Sequence, residues 1–198
     1  MIKTIFPVNV VIKDHILDDS WNDKIKTITL TVFKDYMSQN KVNKSLIDDE
    51  IPLFTENNLN KFPILRELQN LFLDGFYELA SSYDENILTK DMLKVMVSKN
   101  SGKLPFMKTG ENKSLHNHIG ASAFGIFYLN DIDNKKYGGE LILRDPAFHS
   151  NLHFHPPETF SVETKKNRLV VAPAYIWHEV NTYTGNEDRL AIVINLDI

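Results

Sequence analysis

The chain has 198 residues, 42% hydrophobic and 11% aromatic, which is enough apolar material for one continuous core and excludes a disordered or collagen-like polypeptide. A net charge of −4 without a long Lys/Arg run offers no electrostatic footprint for duplex nucleic acid or an anionic membrane, so neither is expected as a partner. Cysteine is absent, which excludes a disulfide framework, zinc fingers, thiolate-bound iron–sulfur clusters and a cysteine nucleophile; any metal must be held by His, Asp or Glu.

The first residues, Met1 to Pro7, lack the apolar core and small-residue cleavage site of a signal peptide, so the expected location is the cytoplasm. A short strand is predicted over Val8–Ile12. Between Asp18 and Asn40, Trp21, Ile25, Ile28, Val32 and Tyr36 recur at helical steps and predict an amphipathic helix, with Ser20 as its N-cap. Lys41 to Asn60 is polar with scattered Leu46, Ile51, Leu53 and Phe54, and reads as a packed connection. Pro63 then opens a second helix whose stripe is Leu65, Leu68, Phe72, Phe76 and Leu79, fading at Ser81-Ser82.

From Leu88 onward the pattern changes to short runs rich in Val, Ile, Phe and Tyr, broken by Gly, Pro, Asn and Asp. Strands are predicted near Met92–Ser98, Ser114–His118, Ser122–Leu129, Gly139–Arg144, Phe160–Glu163, Arg168–Ala172, Trp177–Thr182 and Arg189–Leu196. Lys165-Lys166-Asn167-Arg168 reads as an exposed hairpin turn. The most apolar stretch, Leu169 to Trp177, is interrupted by Pro173 and is about half the length of a membrane-spanning helix. Eight short strands suggest a jelly-roll. The expectation is an α+β single domain over 1–198, in which a mainly helical segment, 1–87, covers one sheet of a jelly-roll core, 88–198.

Four of the seven histidines form alternating pairs, His116-Asn117-His118 and His153-Phe154-His155, and His178 follows His118 by 60 residues. On a strand, residues i and i+2 share a face, so His116 and His118 can present two imidazole nitrogens to one ion, with His178 the best third ligand from a distant strand. Glu179, the neighbour of His178, should point to the opposite face. His149, His153 and His155 read as rim residues that could line a substrate mouth or form a second metal site, and His15 has no partner in view. The loops Ser98–Lys113 and Pro146–Thr159 should shape that mouth.

The order His116, Tyr128-Leu129-Asn130, Gly138-Gly139-Glu140-Leu141, His178 and Arg189 resembles the Fe(II)- and 2-oxoglutarate-dependent oxygenases. The likeness is to the prolyl-hydroxylase-like branch and the small oxygenases of this type found in phages and bacteria, and it covers roughly Ser114 to Ile198. It implies a double-stranded β-helix core and an enzyme that uses Fe(II), 2-oxoglutarate (2OG) and dioxygen. Such an enzyme decarboxylates 2OG to succinate and hydroxylates a second substrate, which the sequence does not identify. The metal ligands carried over are His116 and His178, with His118 standing where the family usually has a carboxylate. Three neutral imidazoles leave Fe(II) at +2, a charge the 2OG dianion would cancel.

In the last strand Arg189, Ala191, Val193 and Asn195 share one face and Leu190, Ile192, Ile194 and Leu196 the other. The aliphatic face should pack under the helices, which points Arg189 into the barrel, where its guanidinium suits a bidentate grip on the distal carboxylate of 2OG. By resemblance Tyr128 would donate its hydroxyl to the same carboxylate. Two other functions fit part of the pattern: a cupin-like three-histidine metalloenzyme that does not use 2OG, and a non-catalytic jelly-roll binding or structural module. The first normally carries a Glu soon after His-x-His, and Ile119 to Phe124 contains none.

Overall fold

The structure is a computed structural model that describes residues 8–40, 53–83, 102–103, 106–146 and 159–196. In chain order its elements are β1 (Val11–Asp14), α1 (Asp19–Asn40), α2 (Glu56–Lys61), α3 (Ile64–Ser81), β2 (Gly102–Lys103), β3 (Phe106–Met107), β4 (Lys113–His116) and β5 (Ala123–Tyr128). They continue with α4 (Asn134–Tyr137), β6 (Leu141–Arg144), β7 (Thr159–Val162), β8 (Arg168–Pro173), β9 (His178–Val180) and β10 (Arg189–Leu196). The strand expected over Met92–Ser98 lies outside the described residues. Among the described residues no helix is long and apolar enough to cross a membrane.

The strands form two antiparallel sheets. The larger runs β1-β8-β5-β10-β2, with β3 also pairing β10, and the smaller runs β4-β9-β6-β7. This is the jelly-roll arrangement, and the helices lie on the outer face of the larger sheet. The period of two along each central strand splits its side chains between two cores. Ala123 and Phe127 of β5, Leu169 and Val171 of β8, and Leu190, Ile192, Ile194 and Leu196 of β10 pack with α1 and α3. Phe124, Ile126, Tyr128, Val170, Ala172 and Ala191 face the smaller sheet. The two faces expected for β10 are therefore those observed.

The helical stripes are also as read: Ile25 and Val32 of α1 and Leu65, Leu68, Phe72, Phe76 and Leu79 of α3 are all buried. Helix α3 can approach the sheet closely because both surfaces carry a glycine at the contact. A Cβ added at Gly75 would lie 2.8 Å from the side chains of Leu169 and Val171, and one added at Gly125 would lie 2.8 Å from the Phe72 ring.

Four local expectations are corrected. The N-cap of α1 is Asp18, whose carboxylate accepts the Ser20 N–H at 2.6 Å, so Ser20 lies inside the first turn. The first strand is shifted to Val11–Asp14, because its register against β8 pairs Asp14 with Arg168. The connection Lys41 to Asn60 contains the start of a short helix, Glu56–Lys61, capped by Thr55. Lys165–Arg168 is a turn on Asn167, at φ 64°, but it is not a hairpin: it carries the chain from β7 of the smaller sheet to β8 of the larger one, and its cations are engaged in ion pairs. Arg168 and Lys165 each reach Asp14 at 2.6 Å, and Lys166 reaches Asp19 at 2.5 Å. The Arg168 hydrogen bond holds the Asp14 carboxyl down to about 2.

The contact at Gly125 generates a stability test. Gly125→Val would drive a branched side chain into a ring that is itself buried, and overpacking of this kind costs roughly 1–3 kcal/mol. Urea denaturation should show a lower midpoint for this variant with an unchanged slope.

Candidate metal centre and anion site

The smaller sheet places two of the histidines opposite one another: β4 pairs with β9 so that His116 faces His178 across the ladder, and β6 sets Leu143 on the other side of His178. The ring centroids of His116 and His178 are 4.3 Å apart. Strand β4 ends at His116, so His118 is not the i+2 residue of a strand as expected. Its N–H is given to Ala174 O at 3.0 Å and its C=O receives Ala121 N–H at 3.1 Å, forming a turn that contains Gly120 at φ +94°. The turn still delivers the ring to the cluster. The His118 ring stacks on His178, with 5.1 Å between centroids, and both rings stack on Phe124 from the larger sheet.

The three histidines each offer one nitrogen, and these nitrogens all lie within 4.8 Å of one another. Two rings are oriented by the backbone. The Nδ1–H of His116 donates to Ser114 O at 2.7 Å and that of His178 to Ile176 O at 3.0 Å, which directs Nε2 of each toward the shared space. His178 is 2% exposed, and burial, with the nearby His116 as a lesser cause, lowers its pKa to about 4. It is neutral at physiological pH, the state a metal ligand needs. Glu179 points away from the cluster and is ion-paired with Arg144. Imidazole nitrogens suit Fe(II), so this donor set fits the metal.

Arg189, 3% exposed, lines the same cavity as the histidines. The cavity has a volume of about 830 Å³, and Ile126, Leu141, Val180, Ala191 and Val193 form apolar wall between the histidines and the guanidinium. The histidines sit at the Phe124 end of β5 and Arg189 near Tyr128 at the other end, roughly 13 Å along the strand. Nε of Arg189 donates to Thr164 Oγ1 at 3.2 Å and Nη1 approaches Met107 Sδ at 3.6 Å. Among the described residues no carboxylate forms an ion pair with it; Glu140, whose charge acts on it, instead accepts from Asn181 at 2.8 Å. A buried guanidinium on an apolar-walled cavity fits a dicarboxylate whose other end reaches the histidines.

Tyr128 is fully buried with its ring against Arg189, the guanidinium carbon 5.1 Å from the ring centroid. Its hydroxyl makes no hydrogen bond of normal geometry among the described residues, although it lies close enough to feel the Arg189 charge. Burial raises its pKa, so it stays a protonated donor. At the opposite end of the β10 face, Asn195 lines the cavity with its amide oxygen buried and, among the described residues, without a partner. Phe124, Thr164 and the Ser114 and Ile176 carbonyls were not singled out from sequence. Only Phe124 carried a signal, the alternation that puts it on the inner face with Tyr128. His15 stands apart on the helical side, its ring 6.4 Å from Phe127. His149, His153 and His155 lie outside the described residues, as does most of the loop Pro146–Thr159. Of the loop Ser98–Lys113, Met107, Asn112 and Lys113 line the cavity.

Residues 104–195 match the family described as "Putative 2OG-Fe(II) oxygenase". The matched segment carries the three histidines and Arg189, and the likeness implies Fe(II) and 2OG as the groups such a site would hold. Solved structures show the same fold. A Pseudomonas putida prolyl-4-hydroxylase is 13% identical with a TM-score of 0.54, over 96% of this chain and 88% of that one. A Trichoplax adhaerens prolyl hydroxylase, solved with a peptide fragment of the hypoxia inducible factor oxygen degradation domain, is 15% identical with a TM-score of 0.58, over 95% and 83%. The non-heme alpha ketoglutarate dependent carbocyclase SnoK of nogalamycin biosynthesis is 11% identical with a TM-score of 0.58, over 96% and 80%. No curated protein matches the sequence.

The depressed pKa of His178 makes a linkage prediction for the metal-free protein. The unfolded chain takes up a proton near the ordinary value of 6.5 and the folded one only near 4. The stabilisation is therefore complete above pH 6.5 and lost as pH falls to 4, by about 3 kcal/mol. Urea unfolding of wild type and His178→Gln across this window should show the extra loss in wild type alone.

Proposed function

We propose that this protein is an Fe(II)- and 2OG-dependent dioxygenase that hydroxylates a C–H bond of a second substrate. His116, His118 and His178 hold the metal, and Arg189, assisted by Tyr128, holds the distal carboxylate of 2OG. The observation that carries this reading is the placement on one cavity of a three-histidine cluster and a buried Arg189 that has no ion pair among the described residues. When bound, Fe(II) with 2OG and dioxygen supplies the oxidation, one oxygen atom going to succinate as carbon dioxide leaves and the other to the substrate.

The protein's own residues orient and exclude. The backbone-held imidazoles keep their Nε2 atoms converged, and the Phe124 ring stacked on His118 and His178 limits their rotation. Arg189 stays protonated at any physiological pH and presents a planar fork to a carboxylate. The apolar wall between the two anchoring points matches the methylenes of 2OG and keeps water from them. Asn195, level with Phe124 on the β10 face, is one polar group available to the second substrate, with Asn112 and Asn117 on the same cavity. A three-histidine centre that did not use 2OG would have no use for the buried arginine. The relatives of this fold include hydroxylases of prolyl residues and a carbocyclase, so the fold itself does not select a substrate.

Anaerobic Fe(II) titration with and without 2OG, followed by the visible charge-transfer band of the bidentate complex, tests the assignment. Arg189→Ala should weaken 2OG binding more than Tyr128→Phe, by roughly 1–2 kcal/mol, because a charge-assisted bidentate pair outweighs one phenol hydrogen bond. Neither should change Fe(II) affinity. Equal 2OG affinity in wild type and Arg189→Ala would defeat the cosubstrate assignment.

The seat usually taken by a carboxylate gives a separate test. His118→Ala should lose Fe(II) affinity by a large factor, while His118→Asp should retain iron and some 2OG decarboxylation. Undiminished iron binding in His118→Ala would remove His118 from the ligand set.

A further inference from the structure

The Gly138-Gly139 turn and Thr164 play no part in the chemistry described so far, yet their contacts converge on Arg189. Thr164 is 2% exposed and does not line the cavity. Its hydroxyl lies 3.2 Å from Gly139 O and 3.2 Å from Arg189 Nε. A hydroxyl has one proton, and a carbonyl can only accept, so the proton goes to Gly139 and a lone pair is left facing the Arg189 N–H. Both partners thus fix the direction of that lone pair.

The glycine turn and the threonine are held in turn by one side chain. Asn134 accepts the Thr164 N–H at 2.6 Å and donates its amide to Gly138 O at 2.7 Å. Gly139 sits at φ +80°, a conformation that side chains disfavour, and a Cβ there would lie 3.3 Å from Arg189 Cδ and 3.1 Å from the Tyr183 ring. At Gly138, φ +68°, a Cβ would meet Thr182 O at 2.2 Å. The glycines therefore let the turn close around the stem of the arginine.

We infer that Thr164, anchored by Asn134 and the Gly138-Gly139 turn, is a positioning residue that sets the guanidinium of Arg189 for the 2OG carboxylate. The hydrogen bond occupies Nε, so the Nη edge is the one turned toward the cavity. Without the hydroxyl, a buried Nε–H loses its partner and the guanidinium is free to rotate about its stem. This inference rests on the proposed role of Arg189, and it gives the Gly-Gly turn a function in cosubstrate binding.

The test is 2OG binding to the anaerobic Fe(II) protein, read by the charge-transfer band, for wild type, Thr164→Val, Thr164→Ser, Arg189→Met and the Thr164→Val/Arg189→Met double variant. Thr164→Val should raise the Kd for 2OG about ten-fold, the weight of one buried hydrogen bond, and leave Fe(II) affinity unchanged. Thr164→Ser, which keeps the hydroxyl, should bind 2OG as wild type does. In the Arg189→Met background Thr164→Val should have no further effect, since its influence passes through the arginine. Wild-type affinity in Thr164→Val, or the same loss in both backgrounds, would overturn the inference. Wild-type affinity in Arg189→Met would instead overturn the assignment of Arg189, and the role of Thr164 with it. If Thr164→Val does not fold, NMR of wild type and Thr164→Ser decides. The Arg189 Nε–H signal, identified by its loss in Arg189→Met, should be protected from exchange in both, and rapid exchange in wild type would overturn the inference.

Discussion

A guanidinium removed from water with no carboxylate paired to it among the described residues is the constraint on which the interior of this protein turns. Burial of an uncompensated charge costs several kcal/mol, so it persists only where the surrounding structure compels it. Here β10 compels it. Its alternate face must pack under the helices, which commits Arg189 to the barrel interior with Ala191, Val193 and Asn195. Thr164 and Met107 satisfy part of the donor fork, and the Tyr128 ring covers one face. Arg189 lines a cavity whose other end holds three imidazoles, and on the proposed reading its free donors meet the 2OG carboxylate there.

The helical half contributes to this arrangement without touching it. Helix α3 presses against β5 and β8 at two glycine contacts, and that pressure fixes the face on which Phe124, Ile126 and Tyr128 stand. At the sheet edge, Asp14 joins β1 to the β7–β8 turn through Arg168 and Lys165. Such partly exposed pairs add little to stability, but they set the register of an otherwise short edge strand. The larger sheet then acts as a rigid floor, and its Phe124 ring meets His178 of the smaller sheet together with His118.

The composition of the metal cluster has an electrostatic consequence. Where an acidic ligand would lower the charge of an Fe(II) site, His118 contributes none, so on the proposed reading the site depends on the 2OG dianion for neutrality. Iron and cosubstrate then stabilise one another more strongly than in a site that already carries an acid. Glu179, the nearest acid in sequence to His178, is removed from the question by the pleat and by its ion pair with Arg144.

Sequence alone determined the features that depend on short-range periodicity. The two amphipathic helices, the shift to short strands and the division of β10 into two faces all follow from spacing, because burial of one face imposes a period of 3.6 or 2, while the candidacy of His116, His178 and Arg189 rested also on the family resemblance. Capping and register were less legible: Asp18 rather than Ser20 caps α1, and β1 starts later, since each is decided by a partner elsewhere. Tertiary structure alone decided how His118 reaches the cluster. Its strand stops at His116, and the ring arrives through a turn held by Ala174, a residue more than 50 positions away. The same holds for Thr164 and the Gly138-Gly139 turn, which meet Arg189 only when β10 passes beside them. A hydrogen bond between residues 25 apart leaves no periodic trace, so only the folded chain could place them together.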